Sequence, residues 1–282
     1  MKKIFALICL FLSLQGMAQE TTQPGFFKRP NRTTRKGQFY FFWGYNRAVY
    51  NKSNIHVHGP DYEFTVYNAT AHDRPTPIND KAYYNPSLLT IPQFNFRLGY
   101  QIDEKWSVSV GWDHMKYVMD QNQVAQVSGF INSPVYTKFN GEYLRQPMVI
   151  SGDLLKFEHT DGLNVTSLDL ERRISLLHSR NGIFGLYGLL GAGTGVVVPR
   201  SDVRVCTVGL NNHWHISGYH LNAKAGLRLE FLRNGFFQLE SRSGYVNLPN
   251  ILVQNDRAHR IDQHFFFCEW YGSLGMFIKV FK

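Results

Sequence analysis

The sequence predicts an all-β protein, an antiparallel up-and-down transmembrane barrel of eight strands with long loops at one end. Three features point there. Segments such as Phe96 to Trp112, FRLGYQIDEKWSVSVGW, alternate large apolar residues with polar, small or charged ones, the period of a strand with two different faces. Aromatic residues make up 15% of the chain, with 22 Phe and 15 Tyr, although its mean hydropathy lies on the polar side. In a barrel wall only alternate residues meet lipid, so aromatics accumulate without raising the average. The connections between segments also sort by length, tight at one end and long at the other.

The eight segments follow in order: Gln38 to Tyr50, Pro92 to Ile102, Lys105 to Met119, Leu163 to Leu177, Gly182 to Val198, Ile216 to Leu232, Phe236 to Leu248 and Phe265 to Phe281. The second and third are joined by DE, the fourth and fifth by HSRN, the sixth and seventh by RNG, all tight-turn chemistry. The other four connections run to roughly 40, 43, 17 and 16 residues. Short turns at one end and long loops at the other, with an even strand number, place both termini on the short-turn, periplasmic side. A soluble sandwich has no reason to sort its loops this way.

The chain begins MKKIFALICLFLSLQGMAQE. Lys2 and Lys3 precede an apolar run from Ile4 to Leu14, about eleven residues and too short to span a bilayer. Small residues at Gly16 and Ala18 then mark residues 1–18 as a signal peptide. Residues 19–36 form a basic periplasmic leader, and 37–282 the barrel. The formal charge of +9 belongs mostly to the first two parts, since residues beyond Lys36 carry 23 basic against 20 acidic side chains. Export and this near-balance exclude nucleic acid as a partner. No later stretch approaches eighteen consecutive apolar residues, and no zinc spacing or CxxC is present. After removal of the signal, Cys206 and Cys268 remain, and the sequence does not say whether they pair.

Strand parity assigns the two faces. Trp106, Val108, Val110 and Trp112 point to lipid, as do Leu221, Ala223, Ala225, Leu227, Leu229 and Phe231. The inward set includes Asp113, Asp169, Glu171, Glu230, Glu240 and Glu269 together with Arg97, Arg173, Lys224, Arg228 and Arg242. So near a balance in so narrow a barrel predicts a lumen plugged by salt-bridged side chains.

The signal peptide, the alternating strands, the sorted connections and the aromatic terminus GMFIKVFK resemble the small eight-stranded outer-membrane barrels of Gram-negative bacteria. That resemblance implies a multi-pass barrel in the cell outer membrane with long extracellular loops, in contact with outer-membrane lipid or lipopolysaccharide. It is architectural and names no chemistry.

Two features are candidates for chemistry. The histidines gather at the loop end, and His56-Val57-His58 in an extended segment puts two imidazoles on one face, two ligands without a third. The sharper candidate is HWHISGYH, His213 to His220, whose His215 and Ser217 share a strand face turned toward outer-leaflet lipid. This stretch resembles the lipid A 3-O-deacylase barrels, which implies Ser217 as nucleophile, His215 as its base and Glu230 as the orienting carboxylate. No cofactor is expected. The reading that results is a structural or binding barrel, non-enzymatic, whose loops meet lipopolysaccharide, an envelope protein or a surface ligand. On that reading residues 56–85 are dispensable for folding. A lipid A acyl hydrolase is the alternative, and a narrow pore or small-ligand transporter the third.

Overall fold

In the computed structural model, which describes residues 34–179 and 183–280, eight antiparallel strands close on themselves. The expected signal peptide and the expected leader through residue 33 lie outside the described residues, as do Phe281 and Lys282. Fifteen strands follow in chain order: β1 (Phe39–Tyr50), β2 (Ser53–Gly59), β3 (Tyr62–Ala69), β4 (Ala71–His72), β5 (Phe94–Gln101), β6 (Trp106–Met119), β7 (Gln123–Ile131), β8 (Gly141–Ile150), β9 (Leu155–His178), β10 (Gly185–Val197), β11 (Arg200–Val205), β12 (Val208–Trp214), β13 (Gly218–Phe231), β14 (Gly235–Leu252) and β15 (Arg260–Ile278). The ring runs β1-β5-β6-β9-β10-β13-β14-β15, and β15 returns to β1 in register from Phe39↔Ile278 to Tyr50↔Phe267. Closure leaves the ring without an unpaired edge, the condition for crossing hydrocarbon. Among the described residues no helix is long and apolar enough to cross a membrane.

These are the eight segments expected. The tight turns have local causes. The Asp103 carboxylate accepts from the backbone N–H of Lys105 and Trp106 at 2.6 and 2.7 Å, which folds the β5–β6 link. The β13–β14 turn differs from expectation: Leu232 and Arg233 take the positive φ angles of 49° and 70°, not Asn234 and Gly235. There Asn234 accepts from Phe277 N–H at 2.8 Å and so ties the turn to the end of β15.

The long connections are not loops in the ordinary sense. They supply the seven remaining strands, of which β2, β3, β7 and β8 continue a sheet outward from the first residues of β15. β11 pairs with the outer end of β9 and with β12, while β4 pairs with β6. Together they form a cap with an apolar core that includes Ile55, Val57, Phe64, Val66, Met115, Tyr117, Phe157, Val203, Val246, Ile261 and Phe265.

Barrel and cap share strands, and the pattern of those strands inverts between them. Along β9 the inward positions read Leu155, Phe157, His159 above, then Ser167, Asp169, Glu171, Arg173 below. The outward positions read Lys156, Glu158, Thr160 above, then Leu168 and Leu170 below. β15 does the same, with Ile261 and Phe265 inward and Asp262 outward above, Glu269 inward and Trp270 and Leu274 outward below. The physical reason is a change of solvent. In lipid the outer face must be apolar and the enclosed one can be polar; above lipid the outer face meets water and the enclosed face becomes a core.

Candidate functional site

The lumen is filled in layers. Nearest the short turns, Tyr40, Phe42, Phe236, Tyr271 and Phe277 form a buried aromatic cluster. Across it lies Arg35, from the end of the predicted leader, only 3% exposed. Its guanidinium donates to Glu230 Oε2 at 2.9 and 3.1 Å and to the Arg233 carbonyl at 2.6 Å, and sits 4.1 Å from the Phe277 ring centroid. Arg35 thus lies across the short-turn end of the lumen.

The middle layer is ionic. Arg97 donates to both carboxylate oxygens of Asp113 at 2.6 and 2.7 Å, and its Nε to Asp169 at 3.0 Å. Arg242 reaches Asp169 at 3.1 Å and also pairs with Asp113. Lys224 lies 3.3 Å from Glu171, 3.5 Å from Asp169 and 3.7 Å from Glu240, and Arg228 pairs with Glu171 at 3.1 Å. Arg173 meets Glu230 at 2.8 Å. Among the described residues, the lumen buries Arg35, Arg97, Arg173, Lys224, Arg228 and Arg242 against Asp113, Asp169, Glu171, Glu230, Glu240 and Glu269, six of each sign. Gly111 belongs to this layer for want of a side chain, since a Cβ there would meet Arg97 Cδ at 2.2 Å. Above the ions is a shell of amides, in which Gln93 donates to Asn46, Asn46 to Asn95 and Asn95 to Asp113 at 3.2, 2.9 and 2.6 Å.

The cap core closes the other end. Tyr117 stands among Tyr50, Phe157 and Phe265, and its hydroxyl accepts from Gln263 at 2.6 Å. His159 packs on Phe157, its Nδ1 2.8 Å from the Ser201 hydroxyl, and burial pushes its pKa down to about 3, so it is neutral. Cys206 is buried in this core and Cys268 lies on the barrel wall; both are free thiols.

The three residues proposed for acyl hydrolysis are not brought together. Residues 215–217 form a link between β12 and β13, not a strand, so the two side chains do not share a lipid-facing surface. Ser217 is buried at 2% exposure, and its hydroxyl lies 3.5 Å from the His215 backbone carbonyl. The His215 imidazole instead has Asn250 at 3.0 Å from Nε2. Glu230 is thirteen residues further along β13, about 40 Å at strand rise, where it holds Arg35 and Arg173.

The outer wall carries exposed Leu98, Val110, Leu168, Leu170, Leu221, Leu227, Leu239 and Leu274, bordered by Trp106 and Tyr100 toward the short turns and Trp214 and Tyr219 toward the cap. An apolar band between aromatic girdles is the surface a bilayer selects.

No protein-family model matches the chain, and no curated protein matches it. Among solved structures, the outer membrane protein OprG from Pseudomonas aeruginosa aligns over 86% of this chain and 97% of its own, at 10% identity and a TM-score of 0.42. The attachment invasion locus protein Ail of Yersinia pestis aligns over 86% and 99%, at 15% identity and a TM-score of 0.32. A complex of Ail with the heparin analogue sucrose octasulfate aligns over the same shares, at 13% identity and a TM-score of 0.30. The barrel itself is established by its own closed strand ladder. The chain is a closed β-barrel of eight strands with an apolar outer wall, filled within and capped at one end.

Proposed function

We propose that this protein is a non-conducting barrel that holds a folded cap on the outside of the cell as a binding surface. The observation that supports it most is the filling of the lumen by an aromatic layer under Arg35, a balanced ionic layer, a shell of amides and an apolar core, all of buried side chains. A transporter of this width would need that space. The connections are instead spent on building a cap, and loops of such length are uncommon without a role. The lipid-facing band supports outer-membrane lipid as the constant partner, and the cap supports a surface ligand or envelope protein as the specific one.

The test has two arms. In planar bilayers the refolded protein is expected to give no steady conductance. On intact cells, Leu144→Cys in β8, 84% exposed, is expected to react with a membrane-impermeant maleimide, while a cysteine at Asp103 in the short turn is not. Stable conductance steps overturn the sealed barrel; labelling at position 103 alone overturns the outward cap.

The hydrolase alternative makes a separate prediction. With Glu230 committed to Arg35 and the Ser217 hydroxyl buried beside a carbonyl, the lipid A mass spectrum of cells is expected to be the same with the protein, without it and with Ser217→Ala. A difference of one acyl chain that requires Ser217 would restore the catalytic reading.

A further inference from the structure

The sequence offered two imidazoles on one face at His56 and His58, and the fold brings carboxylates to them from both neighbouring strands. Val57 between them is fully buried in the cap core, which fixes the direction of both histidines. On one side β3 sets Glu63 opposite His58; on the other β15 sets Asp262 opposite His56. The two imidazole centroids are 3.9 Å apart. His56 Nε2 is 3.7 Å from Glu63 Oε1, and His58 Nε2 is 2.9 Å from Asp262 Oδ2. One ligand atom from each of His56, His58 and Glu63 falls within 4.8 Å of the others.

We infer that His56, His58 and Glu63 form a binding site for a divalent transition-metal ion of the zinc class, with Asp262 as the residue that positions His58. Two imidazoles and a carboxylate are a borderline-soft donor set that suits zinc and its neighbours better than calcium or magnesium. Bonds of about 2.0–2.2 Å to a tetrahedral ion hold ligand atoms roughly 3.4 Å apart, close to the His56–Glu63 separation. The carboxylate of Asp262 accepts from His58 Nε2, which leaves Nδ1 with its lone pair for the ion, the usual carboxylate–histidine–metal relay. Three protein ligands leave one coordination position for water.

A purely structural pairing does not account for the set. The His58–Asp262 contact would be complete without His56, and two protonated imidazoles this close would repel each other. Arg260 and Thr65 also face this surface, opposite His58 and His56 in the register, so one cation stands against the two carboxylates. A bound ion would tie β3, a strand of the cap alone, to β2, which pairs on its other side with β15 of the barrel.

The experiment uses the full barrel refolded in nanodiscs and freed of metal by a chelator. Titration with Zn2+ is expected to show one stoichiometric site. His56→Ala and His58→Ala are expected to weaken it at least about tenfold, and Asp262→Asn by about 10- to 100-fold, the usual range for a residue orienting a ligand. His259→Ala, whose imidazole faces Asp256 elsewhere on the cap, is the control and is expected to leave affinity unchanged. Co2+ loaded into the unmutated protein is expected to give the intense visible bands of a four-coordinate ion, a readout that needs no variant. Weak six-coordinate bands, absence of a stoichiometric site, or Zn2+ affinity unchanged in His56→Ala and His58→Ala would each overturn the assignment.

Discussion

Asp169→Ala is expected to destabilise the folded barrel by about 3–5 kcal/mol, read as a drop in the urea midpoint for refolding in detergent micelles. Asp169 is fully buried and serves three cations at once, Arg97, Arg242 and Lys224. Burying an ion pair gains little over burying apolar groups, because desolvation offsets the Coulomb attraction. Removing one partner is a different matter. The balance of six against six becomes six against five among buried side chains, and three donors lose an acceptor together. The neighbouring Leu168, outward and 55% exposed, is the comparison: Leu168→Ala alters only a lipid contact. A loss of less than 1 kcal/mol for Asp169→Ala would mean that water enters the lumen freely enough to solvate the orphaned cations.

Phe64→Ala is expected to cost about 3–5 kcal/mol as well, but in a different place. Phe64 lies on β3 at 1% exposure, in one core with Ile55, Val57, Val66 and Val127. Because that core belongs to the cap, residues 53–69 are expected to become protease-sensitive while the barrel keeps its heat-dependent gel mobility. Unchanged protection of 53–69 would show that the core tolerates the cavity. By the same reasoning residues 56–85 are not dispensable for folding of the cap, since their removal would take β3 and most of β2 and uncover its apolar side.

The barrel was legible because lipid imposes one rule on every strand, and parity alone assigned the faces of β6, β13 and β15 as they stand. The inward charges were legible for the same reason. The cap was not, because a search for apolar-out alternation has no place for the inversion. β9 was expected from Leu163 and begins at Leu155; β15 was expected from Phe265 and begins at Arg260. Each missing stretch is as alternating as the rest but in the opposite phase, and a search that tracked phase would have found both. The partners of His56 and His58 were beyond reach for another reason. Glu63 and Asp262 are brought to them by the pairing of β2 with β3 and with β15, and cross-strand register is not written in any one segment. Ser217 and His215 were assigned to a strand on spacing, where the chain instead makes a link whose polar groups are used locally.

The strands that pass from barrel to cap, β6, β9, β14 and β15, also decide how the molecule bears load. β9 runs for 24 residues and β15 for 19, each laddered to neighbours on both sides. A pull on the cap along the membrane normal is therefore taken as shear, spread over many backbone hydrogen bonds at once rather than peeled one after another. Whatever grips the cap is gripping the membrane anchor itself, because the same strands belong to both.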